Sequence, residues 1–389
     1  MHGDDYTKLV PRRLSELSYL SAADCQLVER TLFQDHLLDT FSVCSSFSER
    51  VREQVIPRLL LPQTTVLGGL LACAISWEGD VDGQANQGRL RTCYQHASSA
   101  LAALAAFHVT DFQAMIDCLM LGSLVSTFAV RLRLNDILAI CSRTLALIQP
   151  VYNTSDPSRP ELRVFLSCMV MWELRGCLFS CAVPTLRFRP PAEAYADRHV
   201  GLCGTLLPLF YDVCKLSHAL AYDNSDNDTI LMGLDVIELS AREWQPAVPE
   251  NFTTRFSAIE VSHMLCQVHA MRAAALLVIH RLRYPFGLHN EPARALSLAI
   301  LAQLEVTFAA TKEAVRCIDL ALMIACLELQ GLERRKWLLN ISRYAGFSPK
   351  YGKHMQDTLT SFWVAMDSSK TISWSDLATA GYPFLRNPE

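Results

Sequence analysis

Ala258-Ile-Glu-Val-Ser-His-Met-Leu-Cys-Gln-Val-His-Ala-Met-Arg-Ala-Ala-Ala-Leu-Leu-Val-Ile279 decides the fold class. Apolar residues fall at Ile259, Val261, Met264, Leu265, Val268, Met271, Ala275, Leu276 and Ile279. That is the i, i+3, i+4, i+7 spacing of a helix with one face in a core. Glu260, His263 and Gln267 are expected on the opposite, wetter face. The same spacing recurs over 95–107, 112–130, 134–149, 161–181, 293–310 and 312–330. Alternating β-branched runs closed by turn dipeptides, the mark of hairpins, do not occur. The expectation is an all-α protein of stacked helical pairs, a solenoid-like bundle in which each pair covers its neighbour.

Helix breakers punctuate this pattern. Pro150, Pro157 and Pro160 are expected to close a helix near Gln149 and open the next, with Ser158 as cap. Pro184 to Pro191 reads as an exposed extended connector. Asp223–Asp228 reads as a polar loop between two helices, and Tyr284-Pro-Phe-Gly287 as a helix end. The domain reading is a lead-in over 1–20 and one helical domain over 21–389, with a soft internal boundary at 184–204.

Composition narrows the function classes. Of 389 residues, 51% are hydrophobic and 19% charged, which suits a large buried core and argues against disorder. The net charge is −4, and the first sixty residues hold seven Lys/Arg against nine Asp/Glu. No basic field is available to draw in nucleic acid. Fourteen cysteines are spread along the chain without a CxxC pair, mostly inside apolar runs. They read as reduced, buried thiols of an intracellular protein. The N-terminus lacks the pattern of a signal peptide. The greasiest runs, Val66–Trp77 and Cys118–Val130, are shorter than the roughly 18–20 residues that span a bilayer. A soluble protein is expected.

Several phrases then occur in order. Arg58-Leu-Leu-Leu-Pro-Gln-Thr-Thr-Val-Leu-Gly-Gly-Leu-Leu-Ala-Cys-Ala-Ile-Ser76 precedes Tyr94-Gln-His-Ala-Ser-Ser-Ala-Leu-Ala-Ala-Leu104 and an Asp111–Gly122 helix. Leu207-Pro-Leu-Phe-Tyr-Asp-Val-Cys-Lys-Leu-Ser217, Trp244-Gln-Pro246 and Arg272-Ala-Ala-Ala-Leu-Leu-Val-Ile-His-Arg-Leu282 follow. The chain closes on Phe362-Trp363 and Trp374–Gly381. From about residue 20 onward this order resembles the fungal-specific transcription factor domain, the regulatory region of zinc-cluster regulators. The resemblance implies a nuclear regulator of a specialised-metabolite gene cluster. Its partners would be proteins, either a DNA-bound regulator or a second copy of itself, with DNA reached only indirectly. It further implies a small-molecule effector between helices and no membrane. One departure is large. The family's DNA-reading module is a six-cysteine, two-zinc cluster built on CxxC pairs, and only Cys25 lies in the first forty residues.

Other clusters read more plainly. Asp223, Asp226 and Asp228 are the residue types that hold Mg²⁺ on a diphosphate, but their spacing does not give DDxxD, and a solvated turn explains them. Asn227-Asp-Thr-Ile-Leu-Met-Gly-Leu-Asp235 echoes a second such motif loosely, with Leu231 where a hydroxyl should stand. His280-Arg281-Leu-Arg283 reads either as an anion or effector site or as cations favoured at a helix C-terminus, and the latter is preferred. His263 and His269 are six apart and do not share a helical face. Cys177 and Cys181 are one turn apart and read as packing rather than a redox pair. Arg334-Arg335-Lys336 reads as a wet face rather than an import signal, and Trp244, Trp363 and Trp374 as anchors between helices. HExxH, P-loop, GxGxxG and GxSxG motifs are missing, so no catalytic, cofactor-binding or metal-ligating residue is assigned.

Two rivals remain. One is an enzyme on the same scaffold, such as a Mg²⁺-dependent terpene cyclase, marked by a deep aromatic-lined cavity receiving Asp223, Asp226 or Asp228. The other is a scaffold with an exposed apolar groove and no internal cavity.

Overall fold

The computed structural model describes residues 20–33, 41–59, 65–77, 87–132, 137–222, 227–344, 349–368 and 371–379. Among them the regular structure is helical, so the protein is all-α, built of packed helix pairs. The first helices are α1 (Ala22–Phe33), α2 (Ser48–Leu59), α3 (Val66–Trp77), α4 (Gln87–Ala105), α5 (Phe112–Leu132), α6 (Ile137–Thr154) and α7 (Leu166–Ser180). They continue with α8 (Leu207–Tyr222), α9 (Asn227–Glu243), α10 (Phe252–Arg255), α11 (Ala258–Arg283) and α12 (Asn290–Thr311). The last are α13 (Asp319–Leu327), α14 (Gly331–Tyr344), α15 (Pro349–Ser368) and α16 (Trp374–Thr379). Strand pairing among the described residues is limited to two isolated bridges, Asp197 with Gly201 and Phe286 with Ile372.

The chain divides into two compact units between Met169 and Val170, in the first turn of α7. The 184–204 stretch lies within the second. In the first unit, α3 packs on α4 and α5, and α5 on α6. Ala72, Cys73, Cys93, Ala97 and Phe128 form one buried cluster there. The thiols tie helices together: Cys73 Sγ donates to the Leu124 carbonyl (3.0 Å) and Cys93 Sγ to that of Ala72 (3.2 Å). Gly122 lets α5 and α6 approach closely, since a Cβ there would lie 2.4 Å from Thr144 Oγ1.

The second unit is organised on α11, which packs against α8, α9, α12 and α13. Ser257-Ala-Ile-Glu260 starts α11 with a capping box: the Ser257 hydroxyl accepts the Glu260 N–H and the Glu260 carboxylate accepts that of Ser257. Because α11 is covered on several sides, the expected wet face is not wet. Glu260, His263 and Gln267 are all buried, whereas Ile259 and Leu265 from the apolar stripe are exposed and Leu276 is half-buried.

Three further expectations are corrected. α6 runs through Pro150 to Thr154 rather than stopping at Gln149. Pro150 and Ala146, whose carbonyl loses its N–H partner there, are both exposed, so water can meet the lost bond. Ser158 does not cap a helix; its N–H and hydroxyl both donate to Asp156 in a local turn. The 184–191 connector is extended but not exposed, because Pro184, Leu186 and Phe188 alternate into the interior while Arg187 turns out to Asp212.

By length and composition, α5, α11 and α12 are each long and apolar enough to cross a membrane, which run length in the sequence did not suggest. Helices extend past the uninterrupted apolar runs. About two thirds of the most apolar stretch of α5 and of α11 is buried within the chain, but only a third of that of α12.

Candidate functional site

The site begins with three side chains spaced along one side of α7: Met171, Trp172 and Arg175. Opposite them stand His199 and Val200, Gln267 and Met271 of α11, Cys317, and Asp319 and Leu320 at the start of α13. Together they line a small cavity in the second unit. The 197–201 turn closes on itself through paired backbone bonds between Asp197 and Gly201, with Asp197 Oδ1 accepting the His199 and Val200 N–H groups at 2.8 and 3.0 Å. Gly201 sits at φ +55°, the left-handed region. A Cβ there would lie 2.5 Å from Gln267 Oε1, so both the backbone angle and the neighbouring side chain favour glycine.

Gln267 crosslinks the cavity wall. Its amide nitrogen donates to the carbonyls of His199 (2.9 Å) and Cys317 (3.0 Å), so one buried side chain joins α11 to two irregular segments. Its Oε1 has no hydrogen-bond partner among the described residues. At the other edge, Arg175 Nη1 donates to Asp319 Oδ2 at 2.5 Å and to the Tyr351 hydroxyl, which itself donates to Asp319 Oδ2 at 3.0 Å. The guanidinium also faces the rings of Trp172 and Tyr351 at 5.2 and 5.4 Å. Burial pushes the Tyr351 phenol above its ordinary value; Arg175 opposes that shift and Asp319 reinforces it. The phenol is therefore a neutral donor, and the cluster carries a cation and an anion already matched.

The free volume is about 10 Å³, room for one water. In this arrangement the cavity offers Gln267 Oε1 as an acceptor and aromatic and thioether walls. It does not hold a prenyl chain.

The other residues singled out in the sequence lie apart. Asp223 and Asp226 fall outside the described residues; Asp228 is exposed in the first turn of α9 and does not line the cavity. His263 is buried against Thr311 Oγ1 (3.3 Å) while His269 is exposed, so the two diverge. α7 ends at Ser180, leaving Cys181 beyond it at φ 49° with its sulfur accepting from Ser217 Oγ. Burial, and then neighbouring Glu173, pushes the Cys177 thiol up to about 12, which keeps it protonated and a poor nucleophile. All fourteen cysteines are free thiols and twelve are buried. Among the described residues no group of three or more His, Cys, Asp or Glu is placed to hold a metal ion.

Arg334 donates to the Leu329 carbonyl and Asp367, and Lys336 pairs with Glu305. The indoles of Trp244, Trp363 and Trp374 donate to Thr205, to the Cys326 carbonyl and to the Leu178 carbonyl, each joining separate segments.

Arg281 stands in the last turn of α11, as the sequence reading had it, but its side chain is almost wholly buried and bonded to other groups besides the helix end. The signal was present in Pro285-Phe-Gly287 just downstream, a turn whose carbonyls need donors. No protein-family model, curated protein or solved structure matches this chain. The resemblance described above therefore rests on the quoted phrases alone.

Proposed function

We propose that this chain is a non-catalytic regulatory module of transcription, acting in the nucleus through protein partners and reaching DNA only indirectly. The observation that carries this reading is the contrast between its interior and its surface. The cavity is water-sized and its charged groups are matched internally. Yet Met232, Val236 and Leu239 on α9, and Leu298 and Val306 on α12, stand exposed on helix faces. A run of exposed apolar side chains along one helix face, as on α9, supports contact with another molecule. The ordered phrases resembling the fungal regulatory domain supply the biological setting, an associational argument. A small-molecule effector would enter at the Trp172–Gln267 cavity, which must widen to admit one.

The test is genetic. Deleting the gene should lower transcripts of the biosynthetic genes beside it. Lost product with unchanged transcripts would reject the regulator in favour of an enzyme. Purified protein with farnesyl diphosphate and Mg²⁺ should yield no cyclised hydrocarbon, and a clean product would reverse the reading.

A further inference from the structure

We propose that the cavity between α7, α11 and the start of α13 is an oxidant-responsive site, in which a water-sized peroxide converts the thioethers of Met171 and Met271 to sulfoxides. Both methionines line the cavity, with Trp172, Cys317 and Leu320 beside them. Its free volume of about 10 Å³ excludes larger molecules in this arrangement. Hydrogen peroxide is only one oxygen longer than water, and unbranched methionine side chains adjust to a difference of that size. A peroxide therefore enters without the widening that an organic effector needs. Arg175 and Cys317 are half-buried where the rest of the wall is buried, and they mark the side that solvent reaches.

The polar part of the wall fits the same molecule. Gln267 Nε2 donates to two carbonyls, so the amide cannot turn over without setting its oxygen against both. Oε1 is thereby fixed as an acceptor, on a buried side chain and without a donor among the described residues. A peroxide O–H supplies that donor. Gln267 and Met271 stand one turn apart on α11, so a molecule held at the amide lies beside a thioether. In the step, a sulfur lone pair attacks one peroxide oxygen. The S–O bond forms as the O–O bond breaks, and the second oxygen leaves as water carrying both peroxide protons. Sulfur is oxidised and the peroxide reduced. The sulfoxide sets a polar oxygen into a wall packed around thioethers. It strains the 197–201 turn and the segment between α12 and α13, which Gln267 ties to α11.

This inference rests on the regulatory reading for its purpose and names the chemistry of the effector, but it is measured independently. The purified full chain, treated with near-stoichiometric hydrogen peroxide, is mapped by peptide mass spectrometry. Sulfoxide should appear at Met171 and Met271 ahead of Met169, Met264 and Met323, which are fully buried and do not line the cavity. Met232, 66% exposed, is oxidised in any case, and its sulfoxide stays in water. Oxidation should lower the melting temperature by about 2–4 °C, and methionine sulfoxide reductases should restore it. Met171→Leu combined with Met271→Leu conserves size, so the double variant should fold and lose the shift. Cavity methionines oxidised no faster than the other buried ones, or a melting shift that persists in the double variant, would overturn the proposal. The regulator reading fails separately, on unchanged transcripts after gene deletion.

Discussion

Arg281 and Glu328 join the C-terminal end of α11 to that of α13 through a two-pronged ion pair. Nε meets Oε1 and Nη2 meets Oε2, both at 2.6 Å, with the side chains 1% and 6% exposed. The guanidinium's other donors go to the carbonyls of Pro285 (3.0 Å) and Leu288 (2.8 Å) and to Asn290 Oδ1 (3.0 Å). One arginine thus fixes the turn between α11 and α12 as well as the end of α13. Removing either partner leaves a charge buried without compensation. Glu328→Ala should cost about 3–5 kcal/mol in urea unfolding, and Arg281→Lys should not be conservative, because an ammonium lacks the planar fork. A loss below about 1 kcal/mol would refute this role.

Leu277 is fully buried on α11, whereas its neighbour Leu276 is half-buried. Leu277→Ala should destabilise by about 2–5 kcal/mol and Leu276→Ala by clearly less. Equal losses in denaturant titration would contradict the observed rotation of the helix.

Gly122→Ala drives a methyl into Thr144, and overpacking of this kind costs about 1–3 kcal/mol. Combining it with Thr144→Ala should recover part of that loss, giving a non-additive double-mutant cycle. Additive losses would mean that the two helices separate freely.

Burial, before any charged neighbour, holds the His263 imidazole below its ordinary value. The folded pKa lies below the unfolded one, so the unfolded chain takes up the proton first. Stability from this group is therefore present above about pH 6.5 and is lost as the pH falls below it. His263→Gln should flatten the fall in melting temperature between about pH 7 and pH 5.5 relative to the parent chain. An unchanged profile would reject the assignment. His280, also lowered chiefly by burial, contributes to the fall in the same direction.

Helices over 112–130 and 258–279 were legible because their apolar period continues for more than five turns, and the structure extends both. Helix ends were less legible. Pro150 stops a helix only where the lost bond cannot be met by water, and its exposure is a tertiary fact. The cavity wall was hidden for a related reason. Arg175, Gln267, Asp319 and Tyr351 lie far apart in the chain and form no local motif. The S-x-x-E capping box at Ser257 was available in the sequence and fixes where α11 begins.

The sequence by itself determined the helical class, because a 3.6-residue apolar period is a property of neighbours along the chain. It also determined that no CxxC pair is present, since spacing is a property of the chain alone. Only the tertiary structure decided which faces of those helices meet water. Glu260, His263 and Gln267 went inside because further elements cover α11, and Arg281 followed because Glu328 and three turn groups could satisfy it there. The stripe Met232, Val236 and Leu239 stayed outside because α9 had already used its other face against α8 and α11. An apolar period fixes that a segment is helical, but which of its faces is buried depends on contacts that no local spacing encodes.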